Sequence, residues 1–235
     1  ALAKNNPNIV LLEWIEGGEH DRLRLHRSQA ENLSRLADSK GLTWRGGEAL
    51  KEQLTRLRQA ASTEISLPSS FRGELRSYQR DGLGWLTFLD RAGLGGILAD
   101  DMGLGKTVQV LAHLTVMKQA RRLRDPALVI CPTSLVGNWR DEAAHFAPRL
   151  RVLVLHGPDR HERFAEIPRH DLVISTYPLL PRDREHLAAQ AFSVLILDEA
   201  QAIKNARSQA AQAVRELKVG RRLAMTGTPL EKHLG

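Results

Sequence analysis

From Leu75 onward, short apolar runs recur along this 235-residue chain. They are Leu94–Ala99, Ala127–Cys131, Arg151–His156, Asp171–Ser175, Ser193–Leu197 and Arg222–Met225. Within each run Val, Ile and Leu follow one another with little polar alternation, the pattern of strands buried on both faces. The stretches between them are amphipathic and long enough for crossover helices. Strand–helix alternation repeated five times predicts an α/β fold with a doubly wound parallel sheet and helices on both faces. Ahead of the first run, "ELRSYQRDGLGWLTFLDRAG" reads as a helix that ends at Gly93. Ligands in such folds bind beyond the carboxyl ends of the strands, which is where chemistry is to be sought.

The first 65 residues have a different rhythm and read as a small mixed α/β accessory segment. "NIVLLEWIE" predicts a strand. "SQAENLSRLADSKG" predicts a helix, with Ser28 as N-cap, Glu31 completing a capping box and Gly41 as terminator. "GLTWRGG" predicts a short strand or turn, and "EALKEQLTRLRQAAS" a second amphipathic helix. "TEISLPSS" is polar and contains a proline, so it reads as the linker to the domain 66–235.

Charge sharpens this division. The net charge is +7, yet residues 1–65 carry ten basic and nine acidic side chains, whereas 66–235 carry 24 and 18. An excess confined to one segment fits a polyanion such as nucleic acid as partner, or simply a soluble surface. One cysteine, Cys131, excludes a disulfide framework and a cysteine zinc site. No apolar run approaches the roughly 18 residues of a membrane span, and no secretory layout opens the chain. A reducing cytoplasm is the expected compartment. The nine histidines lack metal spacing, and His145 and His156 read as surface or packing residues. Trp14, Trp44 and Trp85 read as core anchors, and "RRLR" (121–124) as a solvated helix end.

Three stretches carry candidate chemistry. In "GGILADDMGLGKTVQVLAHL" a strand, a glycine-containing turn and a helix follow one another. Gly103 and Gly105 would let backbone N–H groups approach phosphate oxygens, with the helix N-terminus adding partial positive charge. Lys106 can reach the β- and γ-phosphates, and Thr107 can ligate Mg²⁺. The position where a phosphate loop ordinarily has its first glycine holds Asp100. In "FSVLILDEAQ" a buried strand ends in Asp198 and Glu199. Two adjacent acids there call for a cation, and Mg²⁺ on Asp198 with Glu199 polarising a water would meet that need. The alternative is a strand ending in solvated acids. In "RRLAMTGTPL" Thr226, Gly227 and Thr228 form a tight turn of small hydroxyls able to bond a carboxylate or a nucleic-acid backbone, or a plain turn.

Together, "DDMGLGKT", "DEAQ" followed by "IKN", and "TGTPL" resemble the Swi/Snf family of DNA-dependent ATPases of helicase superfamily two. "LRSYQRDGLGWL" (75–86) is similar to the family's adenine-recognition segment, and "LVICPTSLVGNW" (128–139) and "DLVISTY" (171–177) to its nucleic-acid-contacting segments. The resemblance covers residues 71–235, seven segments in the right order, and in this superfamily the first position of the phosphate loop is often not glycine. It implies a RecA-like lobe, the first of two in a motor that uses ATP and Mg²⁺ on duplex DNA. Gln79 would read the adenine edge. Asp101, Met102, Gly103, Leu104, Gly105, Lys106 and Thr107 would hold the phosphates. Thr107 and Asp198 would bind Mg²⁺, and Lys106, Asp198 and Glu199 would act in catalysis. Ser134, Asn138, Trp139, Ser175 and Thr176 would lie along a DNA-facing edge. Thr226, Gly227 and Thr228 would couple nucleotide state to DNA grip.

The family commonly has asparagine just after "TGTPL", where this chain has Glu231-Lys232. Residues 1–65 resemble the end of the accessory region that precedes the motor in bacterial members, which would place the protein in the cytoplasm at the nucleoid. The chain stops soon after the third motif, so the second lobe, with the arginines that stabilise phosphoryl transfer, is expected to lie elsewhere. The lobe alone is expected to hydrolyse ATP slowly or not at all. The sequence leaves a nucleoprotein complex, a stalled polymerase and a repair intermediate open as targets. The alternative from another class is a nucleic-acid-binding or protein-docking module without catalysis. A small-molecule kinase accounts for the loop but not for "DEAQ", "TGTP" or Gln79.

Overall fold

The computed structural model describes residues 9–16 and 19–26 as backbone, and 65–99 and 103–227 with their side chains. The expected helices of 28–62, the "GLTWRGG" segment, Asp101, Met102, Thr228 and Glu231-Lys232 lie outside the described residues, as do the side chains of Trp14 and Trp44. The chain forms two compact units, Ala1–Glu64 with Phe88–Gly96, and Ile65–Thr87 with Ile97–Gly235.

In the first unit β1 (Ile9–Glu16) pairs antiparallel with β2 (Glu19–His26), from Ile9 opposite His26 to Glu16 opposite Glu19. β1 falls within the predicted strand. β2 was not foreseen, because "EHDRLRLH" has only Leu23 and Leu25 as apolar residues. Such alternation suits an antiparallel strand with one solvated face, not a strand buried on both.

The second unit is organised around a six-stranded sheet. Its strands are β3 (Gly96–Leu98), β4 (Ala127–Cys131), β5 (Val152–Val154), β6 (Leu172–Thr176), β8 (Val194–Leu197) and β10 (Arg222–Met225). They lie in the order β3-β10-β8-β4-β6-β5, and the β10–β8, β8–β4, β4–β6 and β6–β5 pairs are parallel. All six predicted runs therefore form strands of one sheet: β4 and β10 with the predicted bounds, β3, β5 and β8 shorter, and β6 displaced by one residue. β7 (Ala191–Phe192) and β9 (Lys218–Val219) form a small separate parallel pair.

Because side chains alternate across a strand, each apolar run divides between two cores. Ala127, Val129 and Cys131 of β4 pack with Leu172, Ile174, Val194 and Ile196 on one face. Leu128 and Ile130 pack with Val173, Leu195 and Leu197 on the other. The first face is covered by α1 (Ser77–Ala92), α2 (Lys106–Gln119) and α3 (Val136–Phe146) through Leu83, Leu86, Val110, Leu114, Trp139 and Ala143. The second is covered by residues 158–169, α4 (Arg184–Ala188) and α5 (Gln209–Glu216), which contribute Phe164, Ile167, Leu187 and Val214. As predicted, α1 gives way at Gly93, which takes φ 75°. α1 can approach α2 because residue 82 is glycine: a Cβ there would lie 1.8 Å from Gln109 Oε1.

The crossovers are less helical than the sequence pattern implies. The β5–β6 link is a 3₁₀ stretch over Pro158–Arg169, and α4 has five residues. Pro168 withholds an N–H group from a regular α-helical ladder, whereas Pro158 stands at the first position, where none is needed. Two ion pairs hold these links. Arg160 binds Asp183 bidentately, Nε to Oδ2 at 2.8 Å and Nη2 to Oδ1 at 2.9 Å, with both residues buried. Asp171, just before β6, accepts from Lys118 Nζ at 2.7 Å and from the Arg151 backbone N–H at 2.7 Å. Burial alone would raise the Asp171 carboxyl, but these donors and the Arg151 guanidinium hold it below its ordinary value.

Candidate nucleotide and nucleic-acid site

The strands of the parallel sheet end together, and the candidate residues gather at their carboxyl ends. Gly103 (φ 83°) and Gly105 (φ 73°) both adopt the left-handed region, which side chains other than glycine's resist. Gly105 is the N-cap of α2, so the loop delivers its backbone to the N-terminus of a 14-residue helix. α2 is buried along most of its length, which fixes the loop behind it. Lys106, at the first helical position, is 8% exposed, and Thr107 is half-buried.

Gln79 of α1 lies against this loop. Its Oε1 accepts from the Arg76 backbone N–H at 2.9 Å, and its Nε2 donates to the Leu104 carbonyl at 3.2 Å. A carboxamide has two N–H donors and two acceptor lone pairs. Among the described residues one of each remains, which is what an adenine edge requires. A Cβ at residue 105 would come within 2.6 Å of Gln79 Nε2, so the glycine and the glutamine fit one another.

Asp198 follows β8 and is 5% exposed. Both carboxylate oxygens are held: Oδ2 accepts from the Trp139 indole N–H at 2.8 Å, and Oδ1 from the Glu199 backbone N–H at 2.9 Å. Its own carbonyl accepts from the Tyr177 hydroxyl at 2.7 Å. Burial pushes the Asp198 carboxyl above its ordinary range. The Trp139 hydrogen bond opposes that rise, the Glu199 charge adds to it, and the Glu199 amide and the Lys106 charge oppose it. A buried carboxylate whose ionised form is disfavoured, with the Lys106 charge near enough to act on it, fits a cation as its missing partner.

Glu199 is half-buried and adopts φ 49°, ψ 54°, left-handed geometry costing a non-glycine residue about 1–3 kcal/mol. Gln201 Nε2 donates to Glu199 Oε2. Gln201 Oε1 in turn accepts from the Thr226 hydroxyl at 3.0 Å. Gln201 thus joins the acidic pair after β8 to the hydroxyl turn after β10. Sequence reasoning did not single out Gln201 or Tyr177. The fourth position of "DEAQ" was the available signal for Gln201, whereas nothing local marks Tyr177. Thr226 is buried and Gly227 half-buried.

Three of the residues expected along a DNA-facing edge are not on a surface. Trp139, Ser175 and Thr176 are fully buried. Trp139 points inward because its helix covers the sheet. Ser175 and Thr176 lie within β6, opposite Ile130 and Cys131 of β4. Ser134 and Asn138 are exposed, and Asn138 Nδ2 donates to Glu142 Oε1 at 2.9 Å. Trp85 is half-buried, and His145 and His156 are exposed. Burial pushes the Cys131 thiol up to about 12, with the Asp198 charge contributing, so it is a packing residue and not a nucleophile.

The chain is also similar to known proteins. The SNF2-related domain family matches residues 78–235. YwqA of Bacillus subtilis (strain 168), named among the ATP-dependent helicases/translocases, is 41% identical over 193 residues, 79% of this chain and 21% of the relative. The ISWI chromatin-remodeling complex ATPase ISW2 of Saccharomyces cerevisiae is 40% identical over 169 residues, 69% of this chain and 15% of that protein. The Sulfolobus solfataricus SWI2/SNF2 ATPase core in complex with dsDNA superposes with a TM-score of 0.68 at 40% identity, covering 73% of this chain and 36% of that one. The chain therefore spans about a fifth or less of these curated relatives and about a third of the solved core.

Proposed function

The chain belongs to the SNF2-related domain family, and from that membership we propose that it is the ATP-binding lobe of a motor that couples ATP hydrolysis to movement along duplex DNA. The observation that carries the proposal is a juxtaposition. The glycine loop at the N-terminus of α2 and the buried Asp198-Glu199 pair stand at the same end of one parallel sheet, close enough for the Lys106 charge to act on Asp198.

The backbone N–H groups of 103–107 are placed to cradle phosphate oxygens, and Lys106 to neutralise them. The unused donor and acceptor of Gln79 suit the adenine edge. Thr107 and Asp198 are the residues that would hold Mg²⁺, which when bound neutralises charge on the phosphates. Glu199, held by Gln201, is poised to orient the attacking water and accept its proton. The Glu199–Gln201–Thr226 chain gives the site a route by which the turn after β10, with Thr226 and Gly227, can sense nucleotide state. Ser134 and Asn138 are the outward groups proposed for the DNA backbone.

Residues 66–235 are read as this lobe and 1–65 as an accessory segment. A second lobe of the full-length protein would close the cleft and supply the arginines for phosphoryl transfer. The protein would work in the cytoplasm on a nucleoprotein target. Among the described residues no helix is long and apolar enough to cross a membrane.

Calorimetric titration of the 235-residue chain with Mg-ATP tests the nucleotide site. Binding is expected in the wild type and its loss in Lys106→Ala. Equal affinity in the two would show that the phosphate site is misplaced. Binding of duplex DNA without any nucleotide binding would favour a non-catalytic nucleic-acid module instead.

A further inference from the structure

We propose that Trp139 is a positioning residue for Asp198: its indole N–H sets the orientation in which that carboxylate receives a divalent cation. The inference rests on the nucleotide-site reading above and extends it to a residue that sequence reasoning assigned to DNA contact.

Trp139 is fully buried, and its only polar atom is the indole Nε1–H. A buried indole needs an acceptor, and a backbone carbonyl would satisfy it. Here the acceptor is the carboxylate of Asp198, 59 residues away in sequence, at 2.8 Å. The pair is charge-assisted and lies in a dry environment, where such bonds are strong. Because the Glu199 N–H holds the other oxygen at 2.9 Å, the plane of the carboxylate is fixed from both sides. Among the described residues neither oxygen accepts a second hydrogen bond, which leaves a lone pair on each for a cation. Groups that orient a metal-binding side chain in this way set the affinity of the site without touching the ion.

Packing alone does not require tryptophan here. Phenylalanine would fill much of the same apolar space in the core on this face of the sheet, but it would leave Asp198 Oδ2 without its donor. The indole is itself well anchored, because Trp139 belongs to the first turn of α3, immediately after the short 3₁₀ turn Thr133–Leu135. One helix start thus presents Ser134 and Asn138 outward and Trp139 inward to the carboxylate.

The test compares ATP affinity in Mg²⁺ with ATP affinity in EDTA, for the wild-type chain, Trp139→Phe, Asp198→Asn and the double variant. Trp139→Phe is expected to retain its affinity in EDTA and to reduce the Mg²⁺ enhancement about tenfold. In the Asp198→Asn background the same replacement is expected to change nothing further. A merely structural role would lower both affinities together, and that outcome, or an unchanged enhancement, overturns the proposal. Should Trp139→Phe fail to fold, the wild type still decides. Its Trp139 indole N–H resonance, identified by elimination with phenylalanine at Trp14, Trp44 and Trp85, is expected to shift when Mg²⁺ is added at saturating ATP. A resonance that does not move overturns the proposal. ATP binding that survives Lys106→Ala overturns the nucleotide reading and this inference with it. Lys106-dependent binding with an intact Mg²⁺ enhancement in Trp139→Phe overturns this inference alone.

Discussion

At Gly105 the backbone and the neighbouring side chain impose the same requirement. Its φ of 73° disfavours any Cβ, and a Cβ placed there would reach 2.6 Å from Gln79 Nε2. Gly105→Ala is expected to cost about 1–2 kcal/mol in backbone strain, and to push Gln79 off the Leu104 carbonyl that it now holds. ATP affinity should fall by about tenfold, the equivalent of ~1.4 kcal/mol. Calorimetry and thermal unfolding of the variant check this, and wild-type values for both would show that the loop tolerates a side chain. The role of Gly105 was legible in sequence because glycine's property is local. The role of Trp139 was not. An aromatic residue in a segment that resembles a nucleic-acid contact reads equally well as outward or inward, and only the docking of α3 on the sheet turns it toward Asp198.

Among the elements, the links across the second face of the sheet depend on polar clamps more than on helix propensity. α4 has five residues, and the stretch before β6 is 3₁₀ with proline at both ends, so neither is stable by itself. The Arg160–Asp183 pair joins them, and Arg160 Nη1 also donates to the Gly157 carbonyl at 3.1 Å. Asp183 is fully buried, so Asp183→Ala would leave the guanidinium without its counter-charge. The expected cost is about 3–5 kcal/mol, read by urea or thermal unfolding. A loss well under 1 kcal/mol would mean that water replaces the carboxylate. The strands of this unit were legible because continuous Val, Ile and Leu runs have few alternatives. The clamps were not, because no pattern in a single sequence pairs position 160 with 183 or 171 with 118. β2 escaped for the opposite reason: its alternating charged residues give no continuous apolar run.

For the whole molecule the decisive facts are what the lobe carries and what it faces. Its excess of basic side chains over acidic ones lies in 66–235, and contacts to phosphates release counterions. Binding of duplex DNA by the 235-residue chain is expected to weaken about tenfold or more between about 50 and about 200 mM salt, as read by fluorescence anisotropy. The same chain is expected to show little DNA-stimulated ATP turnover, since the arginines proposed for the second lobe would account for a factor of ~10³–10⁵. Salt-insensitive binding would remove the phosphate-contact reading, and robust turnover would show that one lobe suffices. The sequence by itself determined the sheet, the glycine loop, the acidic pair and the order of the motifs, because each rests on neighbouring residues and their periodicity. Tertiary structure alone decided that Trp139 meets Asp198, that Gln79 bonds Leu104, that Gln201 bridges Glu199 to Thr226, and that Ser175 and Thr176 are buried. Apart from the Gln201–Glu199 bond, those contacts join positions far apart in the chain, which no local pattern pairs and only packing brings together.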